Sequence, residues 1–167
     1  MFGSGPGDET VGYLTEWIPS QGYREKAGFQ TELREYLDKQ LNHRVVGMGM
    51  GNVGDDVPVR VDHGPVKADV AVGDDVGVVL VHEFTSVDGE TVDEQVESYR
   101  AEFSTIVVVA CGVREMAQWE EITDEYSSEQ FSVTGGEDIH FMHKKRMHFG
   151  KDPADLRDDD GFFDWFF

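Results

Sequence analysis

The stretch "STIVVVACG", Ser104 to Gly112, constrains the fold more than any other part of this chain. Its apolar residues run on without alternation, so both faces of the strand they form must be covered, which places it in the interior of a sheet. The segments around it supply the cover. Upstream, "VDEQVESYRAEF" reads as a helix with Val96, Tyr99 and Phe103 on one side, and downstream "REMAQWEEITDEY" aligns Met116, Trp119 and Ile122. "EDIHFMHKKRMHFG" follows as a final strand at a sheet edge. A strand, a crossover helix and a further strand imply a partly parallel sheet covered by helices.

The first half of the chain completes the pattern. After a Gly-rich start, "YLTEWIPS" is a short apolar segment ending at Pro19. From about Glu25 to Leu41, Phe29, Leu33, Tyr36, Leu37 and Leu41 recur at three- and four-residue spacing, the stripe of a helix that faces a core, with Gly28 weakening its first turn. The period then changes. "RVVGMGMG", "VPVRVDHG", "VKADVAV" and "GVVLVHEF" are β-branched and bounded by Gly, Asp and Pro, the composition of strands. The pentapeptide "VGDDV" occurs at 53–57 and again at 72–76, each time as a hairpin turn. The order is α, three β, α, β, α, β, an α/β fold with a mixed central sheet. The expected division is an N-terminal segment over 1–24, one α/β domain over 25–150 and an acidic, aromatic tail over 151–167.

Charge bears on environment more than on partners. The 34 acidic residues outnumber the 14 basic ones, for a net charge of −20, and such a surface repels itself unless salt screens it. The composition points to a halophile, or a virus that infects one, with the protein in its cytoplasm. Cys111 has no second cysteine to pair with and reads as core filling. "MFGSGPGDET" has neither the basic region nor the apolar run of a signal peptide, and no apolar run approaches the roughly 20 residues that cross a bilayer.

The element order, together with particular residues, resembles the PD-(D/E)XK, or restriction-endonuclease-like, superfamily, whose core is αβββαβ. The resemblance covers roughly residues 25–113. It implies a Glu on the first helix, an Asp on the second strand and a Glu-x-Lys on the third, the carboxylates holding Mg²⁺ and the Lys assisting the water that attacks a phosphodiester. Glu32 falls on the first helix in "FQTEL" and Asp69 on the second strand in "KADVAV". Gln95 and Tyr99 in "EQVESY" match the Gln-x-x-x-Tyr often found on the helix after the active-site hairpin. The Glu-x-Lys positions are Val79 and Val81, both apolar. A three-residue hairpin loop puts Asp69 on one face with Val79, Val81 and Glu83; a four-residue loop pairs it with Val78, Leu80 and His82. Neither restores the motif. In a rearranged site Glu83 would join Glu32 and Asp69 around Mg²⁺, with metal bonds from Asp69 and Glu83, and Lys67 would stand in for the missing Lys.

Three further stretches carry expectations. "HFMHKKRMHF" gathers His140, His143, Lys144, Lys145, Arg146 and His148, and Lys144, Lys145 and Arg146 are candidates for contacting nucleic-acid phosphates, against the alternative of cations guarding a sheet edge. "GMGMGNVG" lacks the Lys and helix start of a phosphate-binding loop. "DGFFDWFF" ends the chain with Phe163, Trp165, Phe166 and Phe167 and resembles a sliding-clamp-binding peptide, with Asp160 where that peptide has Gln. It would dock on its own domain, on a clamp or on a neighbouring subunit in an oligomer.

The expectation that follows is a nuclease-like domain without metal-dependent cleavage, needing no cofactor, that serves as a nucleic-acid-associated or assembly module. Two alternatives stand beside it: an active Mg²⁺-dependent nuclease with a rearranged site, and an interaction protein of a halophilic virus or assembly anchored by its aromatic C-terminus. None involves a membrane.

Overall fold

The computed structural model describes residues 6–43, 57–132 and 138–151. Helix α1 (Pro6–Glu16) is followed by α2 (Lys26–Asp38), which runs into a single π turn (Lys39–His43). Strands β1 (Val59–His63), β2 (Ala68–Val72) and β3 (Val76–Phe84) come next, then α3 (Asp88–Tyr99), β4 (Thr105–Val113), α4 (Met116–Ser132), β5 (Asp138–Lys144) and a 3-10 turn (Arg146–His148). The expected order of helices and strands is present, preceded by one more helix. Proline suits the first position of α1, where its missing N–H has no intrahelical partner to lose.

Among the described residues the strands form one sheet in the order β1-β2-β3-β4-β5. The first three make an antiparallel meander, and β3, β4 and β5 run parallel. Val72 pairs with Val76 around Gly73, Asp74 and Asp75, so the hairpin has the three-residue loop. Strand β4 lies inside the sheet with eight consecutive buried residues, as its unbroken apolar run demands, and β5 is at an edge.

Two cores lie on opposite faces of the sheet. On one, Leu14, Trp17, Phe29, Leu33 and Leu37 pack against Val70, Val72, Val78, Leu80, Val107 and Val109. On the other, Val92, Val96, Tyr99, Trp119, Ile122 and Tyr126 cover Val79, Val81, Ile106, Val108 and Ala110. Cys111 is buried and free, filling the first of these cores.

Several local expectations change. The first half of the N-terminal apolar segment closes helix α1, and Leu14 with Trp17, just past the helix end, forms part of the core. Phe103 is buried but lies beyond the end of α3, and Met116 is 40% exposed while Trp119 and Ile122 are buried. Gly28 has a packing reason: a Cβ there would stand 2.4 Å from the ring of Tyr23, which folds over the start of α2. "RVVGMGMG", all but the last residue of the first "VGDDV", and the aromatic tail lie outside the described residues. No helix among the described residues is long and apolar enough to cross a membrane.

Candidate functional site

Asp69 sits where the antiparallel ladder opens. Its pairing with β3 ends at Val70 opposite Val78, and the β1–β2 ladder skips Asp62 opposite Asp69. Side chains fill the gap. Asp69 Oδ2 accepts the Leu80 N–H at 2.9 Å, Oδ1 accepts from Lys26 Nζ at 3.0 Å, and the Asp69 amide donates to Tyr99 Oη at 3.0 Å. Gln30 Nε2 donates to the Asp69 carbonyl at 2.7 Å and to Asp62 Oδ1 at 3.1 Å. Asp69 is 4% exposed, so the bonds to its own carboxylate and backbone replace water that burial has removed. Burial, then the Asp69 charge, pushes the Tyr99 phenol well above its ordinary pKa and keeps it a neutral partner.

Lys26 and Gln30 are four residues apart and therefore adjacent on one face of α2. No motif marks them in the sequence; only the packing of α2 over β2 reveals them. Tyr99, by contrast, is where the Gln-x-x-x-Tyr spacing puts it. Its companion Gln95 is half-buried on α3, and its side chain forms no hydrogen bond among the described residues.

The other expected acids are engaged elsewhere. Glu32 accepts from Trp17 Nε1 at 3.1 Å, Ser20 N at 3.0 Å, Ser20 Oγ at 2.6 Å and Tyr23 Oη at 2.8 Å, so it fastens the segment between α1 and α2 onto α2. Glu83 has a left-handed φ of 53°, which breaks the strand alternation that would have kept it on the face of Val79 and Val81. Its Oε1 accepts from Arg114 Nε at 3.1 Å and Arg146 Nη1 at 3.0 Å, and Oε2 lies 3.4 Å from His82 Nε2. Partial desolvation works to raise the Glu83 pKa, but the hydrogen bond and charge of Arg114, with Arg146 and His82, outweigh it and hold the carboxyl below its usual range.

Lys67 belongs to the turn before β2, with φ 51°, and not to the strand; the cation beside Asp69 is Lys26. Val79 and Val81 are packed in the α3 and α4 core. The four residues expected to act together thus have four separate surroundings, and as arranged they do not form a set that fits Mg²⁺, which needs several oxygens converging near 2.1 Å. Among the described residues no group of three or more His, Cys, Asp or Glu is placed to hold a metal ion.

The basic cluster divides. Lys144 is 4% exposed, and its Nζ donates to the carbonyls of Leu14 at 2.5 Å and Thr15 at 3.0 Å, closing the C-terminal end of α1. It is a buried capping residue and cannot meet a nucleic acid. Burial lowers its pKa to about 7. His143 is lowered to about 4, by burial first and then by Lys145 and His148. Lys145 is half-buried, and Arg146 is exposed on the Glu83 rim. Phe163, Trp165, Phe166 and Phe167 lie outside the described residues. Arg114, not singled out in the sequence, joins Arg146.

No protein-family model, curated protein or solved structure matches this chain.

Proposed function

We propose that this chain is a nuclease-like αβββαβ domain that does not cleave phosphodiesters with a metal and acts as a nucleic-acid-associated or assembly module. The run α2, β1, β2, β3, α3, β4 supports the nuclease-like reading, as does Tyr99 bonded to Asp69. The observation that carries the loss of cleavage is the state of Asp69. One carboxylate oxygen is bonded to the Lys26 ammonium and the other to the Leu80 amide, while the neighbouring positions that would complete a metal site hold buried valines. A divalent ion would have to compete with Lys26 for Oδ1 or with the Leu80 amide for Oδ2 before gaining its first ligand.

Incubating the protein with supercoiled plasmid and Mg²⁺ or Mn²⁺, at low and high salt, tests this directly. The plasmid stays intact, and at high salt, where the acidic surface is already screened, neither ion moves the melting temperature. Nicking that disappears in both Asp69→Ala and Lys26→Met would establish an active, rearranged nuclease and overturn the proposal.

A further inference from the structure

We propose that Arg114 and Arg146 form an oxyanion site on the rim of the sheet, held open by Glu83, that takes a phosphate group. Strands β3, β4 and β5 are parallel and end at Phe84, Val113 and Lys144, so their carboxyl ends share one edge. Open α/β sheets present ligand sites at that edge. Both arginines follow it directly. The Arg114 amide donates to the Phe84 carbonyl at 2.8 Å, and Arg146 sits between the buried Lys144 and the buried His148, so each guanidinium springs from fixed backbone.

Charge neutralisation does not explain the convergence. With 34 acids for 14 Lys and Arg, each cation has a surplus of carboxylates to choose from, yet these two share one oxygen, Glu83 Oε1. The local balance is the reverse of the whole chain: two guanidiniums on one carboxylate, with His82 alongside. Their side chains are 64% and 65% exposed against 21% for Glu83, so the acid lies beneath and the donors face outward. Each guanidinium carries five N–H groups, of which one is spent on Glu83, and among the described residues no other acceptor takes the rest. The nitrogens bonded to Oε1 are each about 3 Å from it and so no more than about 6 Å apart, which keeps the two guanidiniums close enough for their remaining N–H groups to meet oxygens of one phosphate.

The backbone is shaped for this arrangement. Glu83 holds a left-handed φ that a residue with a side chain rarely adopts. Opposite it, Gly112 has φ 92°, and a Cβ there would lie 3.5 Å from both Glu83 Cγ and Arg146 Cγ. Phosphate is chosen over other oxyanions because the inference rests on the nucleic-acid side of the proposed function for its ligand class, and planar guanidinium forks suit that group.

The test titrates the full chain with inorganic phosphate and, separately, with a single-stranded oligonucleotide, following the arginine Nε–H resonances at low salt and at about 1 M KCl, where global repulsion from the acidic surface is screened. Phosphate shifts the Arg114 and Arg146 signals, and R114Q/R146Q weakens binding by about tenfold or more in a chain whose circular dichroism shows it still folded. Glu83→Gln keeps an acceptor oxygen but removes the competing charge, and tightens binding. Oligonucleotide that competes with phosphate identifies a nucleic-acid backbone as the source. Phosphate binding without it supports the site and counts against the nucleic-acid side of the proposed function. Oligonucleotide binding untouched by R114Q/R146Q, or no response of the two signals to either ligand, overturns the site, and the first of these leaves the proposed function standing.

Discussion

At the scale of single residues, Asp69 does structural work that its position on a strand does not advertise. It substitutes a side-chain oxygen for the missing ladder acceptor of Leu80, while Tyr99 and Gln30 take up its own backbone groups. Removing the side chain leaves a buried amide without a partner, a penalty of about 1 to 3 kcal/mol, plus whatever the packing loses. Lys26 is a lesser contributor, because its side chain is 43% exposed and solvent screens its attraction to Asp69. Urea denaturation therefore separates the two. Asp69→Ala lowers stability by about 2 to 3 kcal/mol and Lys26→Met by less than about 1, with Asp69→Asn in between because it keeps an acceptor for Leu80. Equal losses for Asp69→Ala and Lys26→Met would mean that the ion pair, and not the bond to Leu80, is what Asp69 provides.

At the scale of elements, α1 is held by a device that the sequence conceals. A helix leaves its last carbonyls unbonded, and those of Leu14 and Thr15 are met by Lys144 from β5, far along the chain. A Lys in "HKKR" reads as a surface cation, since only tertiary packing turns this one inward. The strands and α2 were readable because burial on one or two faces writes itself into hydrophobic period: Phe29, Leu33 and Leu37 on α2, and the unbroken run of β4. Counting left a three- and a four-residue loop both open, and only the pairing of Val72 with Val76 decides for three. Contacts that depend on a left-handed residue, such as Glu83 turning to Arg114 and Arg146, leave no such period, and neither does the pairing of Lys26 and Gln30 with a strand about 40 residues away. The Lys144 cap has a pH signature. Its folded pKa of about 7 lies below the unfolded value near 10.4, so between those values the unfolded chain holds a proton that the folded chain has released, and stability rises with pH. Cys111 acts oppositely: burial raises its thiol pKa, so above about 8.5 the unfolded chain loses a proton that the folded chain retains. Urea midpoints should climb from about pH 7 to 8.5 and then level, whereas Lys144→Met abolishes the climb. A variant that keeps the same slope as the parent would place the titration elsewhere.

At the scale of the whole molecule, the governing quantity is the net charge of −20. The ion pairs at Asp69 and Glu83 act over 3.0 to 3.1 Å, well inside the screening length at 0.1 M and comparable with it only near 1 M. Repulsion among the unpaired carboxylates acts over longer distances and is the part that salt removes. The Debye length falls from about 10 Å at 0.1 M to about 3 Å at 1 M, so added KCl suppresses the repulsion while sparing most of the short-range attraction. The melting temperature should therefore rise with KCl, most steeply below about 1 M, where the screening length changes fastest. Salts also stabilise by exclusion from the protein surface, an effect that is strong for sulfate and shared by uncharged sucrose. Screening responds to ionic strength and ignores sucrose. A melting temperature that is flat in KCl and rises only with sulfate or sucrose would show that the acidic surface is not what limits stability, and the reading of this composition as an adaptation to high salt would fall with it.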